Sequence, residues 1–234
     1  MPLKTLIENS ESRTLTETTY RMIRADILTR ALAPKAKLRI DELRDRYGSG
    51  SSAVRESLSR LVSENLVSAE EQKGFRVASM SVSEFRDITD LRVLLEEEAT
   101  RKAIAYGDEA WEAQIVATYH RLERAELRMA AGEIQTISEW EDRNRDFHDA
   151  LVSACGSEWL MRVRSTLYDH ATRYRHQSLL AGLARRDTSF EHKMMRDSAL
   201  ARDAETAVNL VRQHFKTTFV TYEASAAIIA VKED

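Results

Sequence analysis

The sequence predicts a mainly α-helical protein, in which a small helical domain with a β-hairpin precedes a larger antiparallel bundle of long helices. Turn residues are scarce, because the 234 residues include only 7 Gly and 2 Pro. A β-sandwich or barrel needs turn residues roughly every 8–12 positions and is therefore excluded. Apolar residues instead recur at helical spacing over most of the chain. With 43% hydrophobic and 31% charged residues, the chain can form a packed core and is not disordered.

The first part of the chain combines three helical patterns with a hairpin pattern. Apolar spacing predicts helices over about 16–30, 41–47 and 52–64. Pro34 ends the first helix, and Ser51 or Ser52 is the expected N-cap of the third. Two extended runs then flank Gly74, which predicts a β-hairpin. This order of elements is typical of a winged helix-turn-helix, and we place that domain at residues 1–79.

The helical periods become long from residue 80 onward. They cover about 82–105, 108–131, 135–154, 157–180, 189–201 and 204–226. The breaks between them are short, as at Gly107-Asp108 and Gly156-Ser157. Long helices with short connections form an antiparallel bundle, which we place at residues 80–234.

Charge and cysteine usage narrow the function classes. Residues 1–78 hold 14 Lys+Arg and 11 Asp+Glu, a net charge of +3, whereas the remainder holds 21 and 27, a net charge of −6. This asymmetry favours a front domain that binds a polyanion. The single cysteine, Cys155, excludes an internal disulfide, and no cysteine-rich zinc framework exists. No apolar run approaches the roughly 20 residues of a membrane span, so we expect a cytoplasmic protein with no membrane contact.

The third helix carries the residue types that read DNA. Its N-terminal turns enter the major groove in a helix-turn-helix, and Arg55 lies there, where it can bind the paired acceptors of a guanine. Short hydroxyl donors, backbone-contacting cations and a basic hairpin tip complete the predicted DNA surface: Ser51, Ser52, Arg44, Arg60, and Lys73 beside Gly74. The alternative is that these are ordinary surface charges.

The same run resembles the GntR family of bacterial transcription regulators. The family has a Ser/Thr–Pro–Val–Arg–Glu–Ala–Leu string around its recognition helix, and this chain reads Ser52-Ala53-Val54-Arg55-Glu56-Ser57-Leu58. The resemblance implies that Arg55 and Ser52 contact bases and phosphates. Ala53 stands where the family usually has proline.

The second domain contains histidines at a spacing that metal sites use. Asn144 and His148 share one helix face, and His192 and His214 lie on two later helices. Three imidazoles from three helices can converge in a bundle and bind a divalent ion of the zinc or nickel class. The alternative is a polar pocket in which these histidines only form hydrogen bonds.

The second domain also resembles the FCD effector domain of the FadR-like branch of GntR regulators. The similar segments are DITDLRVLLEEEA, WEDRNRDFHDALVSACGSEWL and EHKMMRDSALARDAETAVNLVRQHF. The resemblance implies a metal held by an acidic residue, a histidine four residues later and two further histidines, positions occupied here by Asn144, His148, His192 and His214. Asn144 replaces the usual Asp.

The resemblance also implies a small organic acid as effector. Candidate arginines for its carboxylate are Arg92, Arg173 and Arg175, since a buried arginine pairs bidentately with a carboxylate. The segment around His148 is similar to CsiR-type regulators of C5-dicarboxylate catabolism. The expected protein is a homodimeric transcription regulator, most often a repressor in this family, that binds a palindromic double-stranded DNA operator. The alternatives are a metal-dependent enzyme that uses the histidines and an architectural DNA-binding protein without an effector.

Overall fold

A computed structural model describes the backbone of residues 3–70, 73–133, 137–180 and 187–233, and the side chains of residues 14–70, 73–133, 137–179 and 187–227. The chain divides into two compact units, Met1–Ser81 and Val82–Asp234. Each unit has its own cluster of buried apolar side chains.

The N-terminal unit consists of three helices and a small antiparallel sheet. Its elements in chain order are α1 (Leu3–Leu28), β1 (Lys37–Leu38), α2 (Ile40–Tyr47), α3 (Ser51–Ser63), β2 (Val67–Glu70) and β3 (Gly74–Val77). The strand order is β1-β3-β2, and the hairpin register pairs Val67 with Val77. The short β1 strand was not predicted, because two residues carry no period that the sequence could reveal.

The buried face of α3 fixes the orientation of this helix. Val54, Leu58 and Leu61 are fully buried in a core that Ile23 and Ile27 of α1 complete. Because these positions repeat at helical spacing, the opposite face of α3 must point to solvent.

Two details of the N-terminal unit differ from the sequence prediction. Helix α1 begins at Leu3 rather than near residue 16. The prediction that Ser51 or Ser52 caps α3 was wrong, since Gly50 is the N-cap and no side chain caps the helix. The residue before a helix adopts an extended backbone, which Gly50 does with φ −80° and ψ 154°.

The C-terminal unit is built from long helices with short connections. They are α4 (Val82–Tyr106), α5 (Glu109–Ala130), α6 (Ile137–Val152), α7 (Glu158–Leu180), α8 (Thr188–Leu200) and α9 (Ala204–Glu233), with a 3-10 turn at Ser153–Cys155. Their bounds agree closely with the predicted periods, except that α9 continues to residue 233.

Local chemistry explains where these helices begin and end. The carboxylates of Asp108 and Asp187 cap α5 and α8 by accepting from backbone N–H groups three residues on, each at 2.9 Å. Gly107 is required between α4 and α5, because a Cβ atom there would lie 2.3 Å from the ring of Trp111. The indole of Trp111 in turn donates to the Ala150 carbonyl at 3.0 Å, which joins α5 to α6.

Helices α4 and α7 run antiparallel. Phe85 stacks on Tyr174, and further along α4 the Glu96 carboxylate pairs with Arg164, so rising numbers on α4 meet falling numbers on α7. Within the residues that the structure describes, no helix is both long and apolar enough to cross a membrane.

Candidate functional sites

The solvent face of α3 presents the predicted DNA-reading residues. Ser51, Ser52 and Arg55 are all exposed on the first two turns of this helix. Among the described residues Arg55 forms no ion pair, although Glu56 follows it in the chain. The guanidinium of Arg55 is therefore available for an external acceptor.

The two other arginines predicted to contact DNA, Arg44 and Arg60, already form ion pairs within the N-terminal unit. Arg44 is exposed and pairs with the Asp45 carboxylate at 2.9 Å. Arg60 pairs with Glu17 at 2.9 Å and lies 3.8 Å from the centre of the Tyr20 ring, so it holds α3 against α1. The hydrogen bond to Glu17 raises the pKa of Arg60.

The tip of the hairpin is exposed. Lys73 lies in the turn, and Gly74 follows it with φ +86°, a backbone conformation that favours glycine. The two residues therefore form a basic tip that projects from the sheet.

Three buried histidines converge in the helical bundle. His148 of α6, His192 of α8 and His214 of α9 each place a ring nitrogen within 4.8 Å of one from each of the others. Their ring centroids are separated by 5.3 Å, 5.0 Å and 5.0 Å. The sequence predicted that these three residues meet, and the fold brings them together.

Two carboxylates determine which ring nitrogen carries the proton in His192 and in His214. The Glu126 Oε1 atom lies 2.7 Å from Nδ1 of His192, and the Glu191 Oε2 atom lies 2.8 Å from Nδ1 of His214. A carboxylate accepts only from a protonated nitrogen, so it favours the tautomer whose lone pair is on Nε2. Nε2 of His148 and Nε2 of His192 are buried and have no hydrogen-bond partner among the described residues.

His148 is held in its neutral form. Burial, reinforced by the neighbouring His214 and His192, lowers its pKa well below the ordinary value. A neutral imidazole with a free Nε2 lone pair is a metal ligand.

Asn144 lies one turn before His148 on α6 and is also buried. Its Nδ2 donates to the Tyr168 hydroxyl at 2.8 Å, while its Oδ1 has no hydrogen-bond partner among the described residues. Two orphaned imidazole nitrogens and an orphaned amide oxygen in one buried site fit a divalent cation, because each would otherwise lose its hydrogen bonds to water without compensation.

Arg92 of α4 is a buried cation on the same side of the bundle. Its guanidinium lies 4.2 Å from the centre of the Phe215 ring, the residue after His214, and 3.9 Å from the Glu96 carboxylate. Nε and Nη2 have no hydrogen-bond partner among the described residues. Burial lowers the pKa of Arg92 to about 10, so the side chain is still charged at neutral pH.

The prediction that Arg175 receives an effector carboxylate conflicts with the contacts it makes. Its guanidinium donates to both oxygens of Glu141, at 2.8 Å and 2.6 Å, and to the Thr172 hydroxyl at 3.0 Å. Burial lowers the pKa of Arg175, but the facing carboxylate outweighs this effect and leaves it above the usual value. An internal carboxylate thus occupies its bidentate face. Arg173 is fully buried on the same helix.

A cavity of about 360 Å³ adjoins this region, and Glu126, Trp140, Arg175 and Thr218 are among its lining residues. Glu126 is therefore shared between the cavity wall and the histidine cluster. A volume of this size accommodates a small metabolite.

Comparison with known proteins identifies the family. Residues 15–77 match the bacterial regulatory proteins of the gntR family, and residues 87–217 match the FCD domain. The chain is 42% identical over 206 residues to an uncharacterized HTH-type transcriptional regulator, BphR of Paraburkholderia xenovorans, covering 88% of this chain and 84% of the relative. The chain is a transcriptional regulator of the GntR family with an FCD domain.

Further relatives agree with this assignment. The HTH-type transcriptional repressor GlaR of Escherichia coli is 39% identical over 202 residues, with 85% of this chain and 91% of the relative covered. Among solved structures, Escherichia coli McbR/YncC shares the fold with a TM-score of 0.73 at 21% identity, covering 94% of this chain and 99% of the other. A GntR regulator from a Rhodococcus species gives a TM-score of 0.73 at 18% identity, covering 89% and 97%.

The family confirms the predicted fold class, a winged helix-turn-helix followed by a helical FCD domain. The alternative of a metal-dependent enzyme is not supported, because the relatives of this GntR regulator are transcriptional regulators and not enzymes.

Several residues of the candidate site were missed by the sequence analysis. Glu126, Glu191, Tyr168 and Glu96 contact the predicted residues, yet none was singled out. Glu191 directly precedes the predicted ligand His192, so its position in the sequence could have indicated it. Glu126 lies 66 residues from its partner His192. No local pattern connects residues so far apart.

Proposed function

We propose that this GntR regulator is a homodimeric repressor of the FadR-like branch, that it binds a palindromic operator, and that a small organic acid changes its affinity for DNA. The acid binds in the FCD domain at a divalent metal held by His148, His192, His214 and Asn144. The observation that carries this proposal is the buried convergence of three imidazoles next to the incompletely paired Arg92. The relative GlaR, named a repressor, supports the direction of regulation.

The chemistry of the site follows from its donors. A bound divalent ion supplies Lewis-acid positions for an oxygen ligand. The chain's own residues hold and orient the ligand. Arg92 offers a carboxylate the N–H donors that have no partner among the described residues, and the buried surroundings exclude competing water. A carboxylate would complete the pairing that Glu96, at 3.9 Å, only partly provides.

Regulation requires that the effector bind one arrangement of the dimer more tightly than another. The effector arginine, Arg92, lies on α4, the first helix of the C-terminal unit, and Asn144 and His148 lie on α6. A ligand that bridges Arg92 and the metal would therefore fix α4 relative to the rest of the FCD domain.

The exposed α3 residues support operator recognition. Arg55 forms no ion pair within the part of the chain that the structure describes, and Ser51 and Ser52 lie one turn before it. Two copies related by a two-fold axis would place two such helices on the half-sites of a palindrome.

The face shared by α4 and α7 is the proposed dimer interface. Four large apolar side chains are exposed on these two packed helices, Leu91 and Leu94 on α4 and Trp159 and Val163 on α7. Leu94 and Trp159 retain 66% and 73% of their surface, which is a large exposure for such residues. A second copy that presents the same face would bury both patches at once.

A thermal-shift panel of small mono-, di- and hydroxycarboxylates tests the effector proposal, with chelator-stripped protein measured with and without Zn²⁺. A ligand that binds the folded state raises its melting temperature. We expect one acid to stabilise the protein only when Zn²⁺ is present. Equal stabilisation without metal would show that the pocket works through its arginine alone, and purified protein without stoichiometric metal would remove the metal from the proposal.

A further inference from the structure

The proposed metal site has neutral donors only. Asn144 offers an amide oxygen, and His148, His192 and His214 offer imidazole nitrogens, so none of these ligands carries a negative charge. All four residues are buried. A divalent cation moved into such a site loses its hydration, and nearby negative charge must compensate for that loss.

Two carboxylates stand directly behind the rings. Glu126 reaches His192 from α5, and both side chains are buried, with 7% and 0% of their surface exposed. Glu191 reaches His214 from the first turn of α8 and is partly exposed. The two contacts have nearly the same length, 2.7 Å and 2.8 Å, and both involve Nδ1. The arrangement is therefore repeated on two of the three histidines, from two different helices.

The remaining charges near the cluster do not supply this compensation. Arg92 adds a positive charge, and Glu96 lies between Arg92 and Arg164. Arg164 also pairs with Asp149 and donates to the carbonyl of His148 at 2.9 Å. Glu96 and Asp149 are thus engaged by arginines, whereas Glu126 pairs with no lysine or arginine among the described residues.

We propose that Glu126 and Glu191 are positioning residues of the metal site, a role that rests on the metal of the proposed function. Glu126 holds the His192 ring with Nε2 available to the ion, and Glu191 holds the His214 ring through Nδ1. Each carboxylate supplies through its ring the negative charge that position 144 lacks. A carboxylate that accepts from Nδ1 raises the basicity of the liganding nitrogen, and its loss typically lowers metal affinity by about 10- to 100-fold.

The test compares Zn²⁺ affinities of full-length variants by competition with a chromogenic chelator. Glu126→Gln and Glu191→Gln keep an oxygen that accepts from Nδ1 and remove only the charge. Glu123→Gln is the matched control, because Glu123 lies on the same helix and its carboxylate accepts from the Tyr119 hydroxyl at 3.1 Å rather than from a histidine. We expect each of the two cluster variants to bind Zn²⁺ about 10- to 100-fold more weakly, and the control to match the wild type.

A rescue variant separates charge from shape. Asn144→Asp, added to Glu126→Gln, places a carboxylate directly at the ion, and we expect it to restore most of the lost affinity. Asn144→Asp alone is the reference variant. A purely structural role for Glu126 predicts that Asn144→Asp raises Zn²⁺ affinity by the same factor with and without Glu126→Gln, whereas the charge-supply role predicts a larger gain in the Glu126→Gln protein. Melting temperatures in chelator-treated buffer show whether each variant still folds.

The Zn²⁺ affinities distinguish a failure of the charge-supply role from a failure of the metal site itself. Two results overturn the charge-supply role and leave the metal site intact: wild-type Zn²⁺ affinity in both Gln variants, or an equal gain from Asn144→Asp with and without Glu126→Gln. A wild-type protein that binds no stoichiometric metal removes the site and this role together.

Discussion

Replacing Arg92 with methionine is expected to stabilise the apo protein while it weakens effector binding. Arg92 is 3% exposed, and burial moves its pKa from 12.5 to about 10. Because the pKa of this base is lowered, the folded state disfavours its charged form by roughly 3 kcal/mol. The side chain is charged in both folded and unfolded states at pH 7, so the cost is paid throughout the neutral range.

The Glu96 carboxylate offsets part of the free-energy cost of burying the charge of Arg92. It lies 3.9 Å from Arg92 but 2.9 Å from Arg164, so it keeps its stronger partner in the variant. Replacing a whole buried ion pair with apolar side chains of similar volume is often neutral or stabilising by about 1–4 kcal/mol. The same sign is expected for Arg92 alone, because Glu96 is not left without a cation. We expect Arg92→Met to raise the free energy of unfolding by about 1–3 kcal/mol.

Arg175→Met is the matched control with the opposite expected sign. Arg175 binds both oxygens of the buried Glu141, so its removal leaves a carboxylate without its partner. Breaking a buried pair in this way costs about 3–5 kcal/mol.

Urea unfolding followed by tryptophan fluorescence measures both variants in the full chain. All three tryptophans, Trp111, Trp140 and Trp159, lie in the C-terminal unit, so the signal reports that unit alone. Carboxylate affinity is measured on the same samples. An Arg92→Met protein that is clearly less stable than the wild type would refute the reasoning, and unchanged carboxylate affinity would remove Arg92 from the effector site.

Three further predictions follow from the surfaces and the cluster. Arg55→Ala should lower the preference for a cognate operator over a scrambled one by about 1–3 kcal/mol, measured by fluorescence anisotropy at fixed salt, and an unchanged preference would remove Arg55 from base recognition. His148→Ala should abolish stoichiometric Zn²⁺ binding in a metal analysis of purified protein, because it removes one of three converging nitrogens, and full metal content would contradict the site. Leu94→Glu should shift the protein from dimer to monomer in sedimentation experiments, since it places a charge in the proposed apolar interface, and a persistent dimer would place the interface elsewhere.

Local signals predicted most of the helical framework. Asp108 and Asp187 cap α5 and α8 through contacts three residues away, which is a range that a sequence displays directly. The start of α1 was misplaced, because residues 3–13 form helix without an apolar period that marks it.

The candidate site was predictable where its members share a helix or follow the family pattern. Asn144 and His148 are one turn apart, so their common face follows from the helical repeat. The occupation of Arg175 was not predictable, because its partner Glu141 lies 34 residues away on another helix. Sequence spacing cannot tell a buried arginine that awaits a ligand from one that already holds a carboxylate.

The sequence by itself determined the two-domain plan, the candidate DNA-reading helix and the set of histidines that converge, since each depends on periodicity or on a short motif. Only the tertiary structure decided which charges meet: Glu126 behind His192, Glu141 on Arg175, and Glu96 shared by Arg92 and Arg164. The physical reason is that electrostatic interactions depend on distance and burial, and both quantities arise only when helices remote in sequence pack side by side.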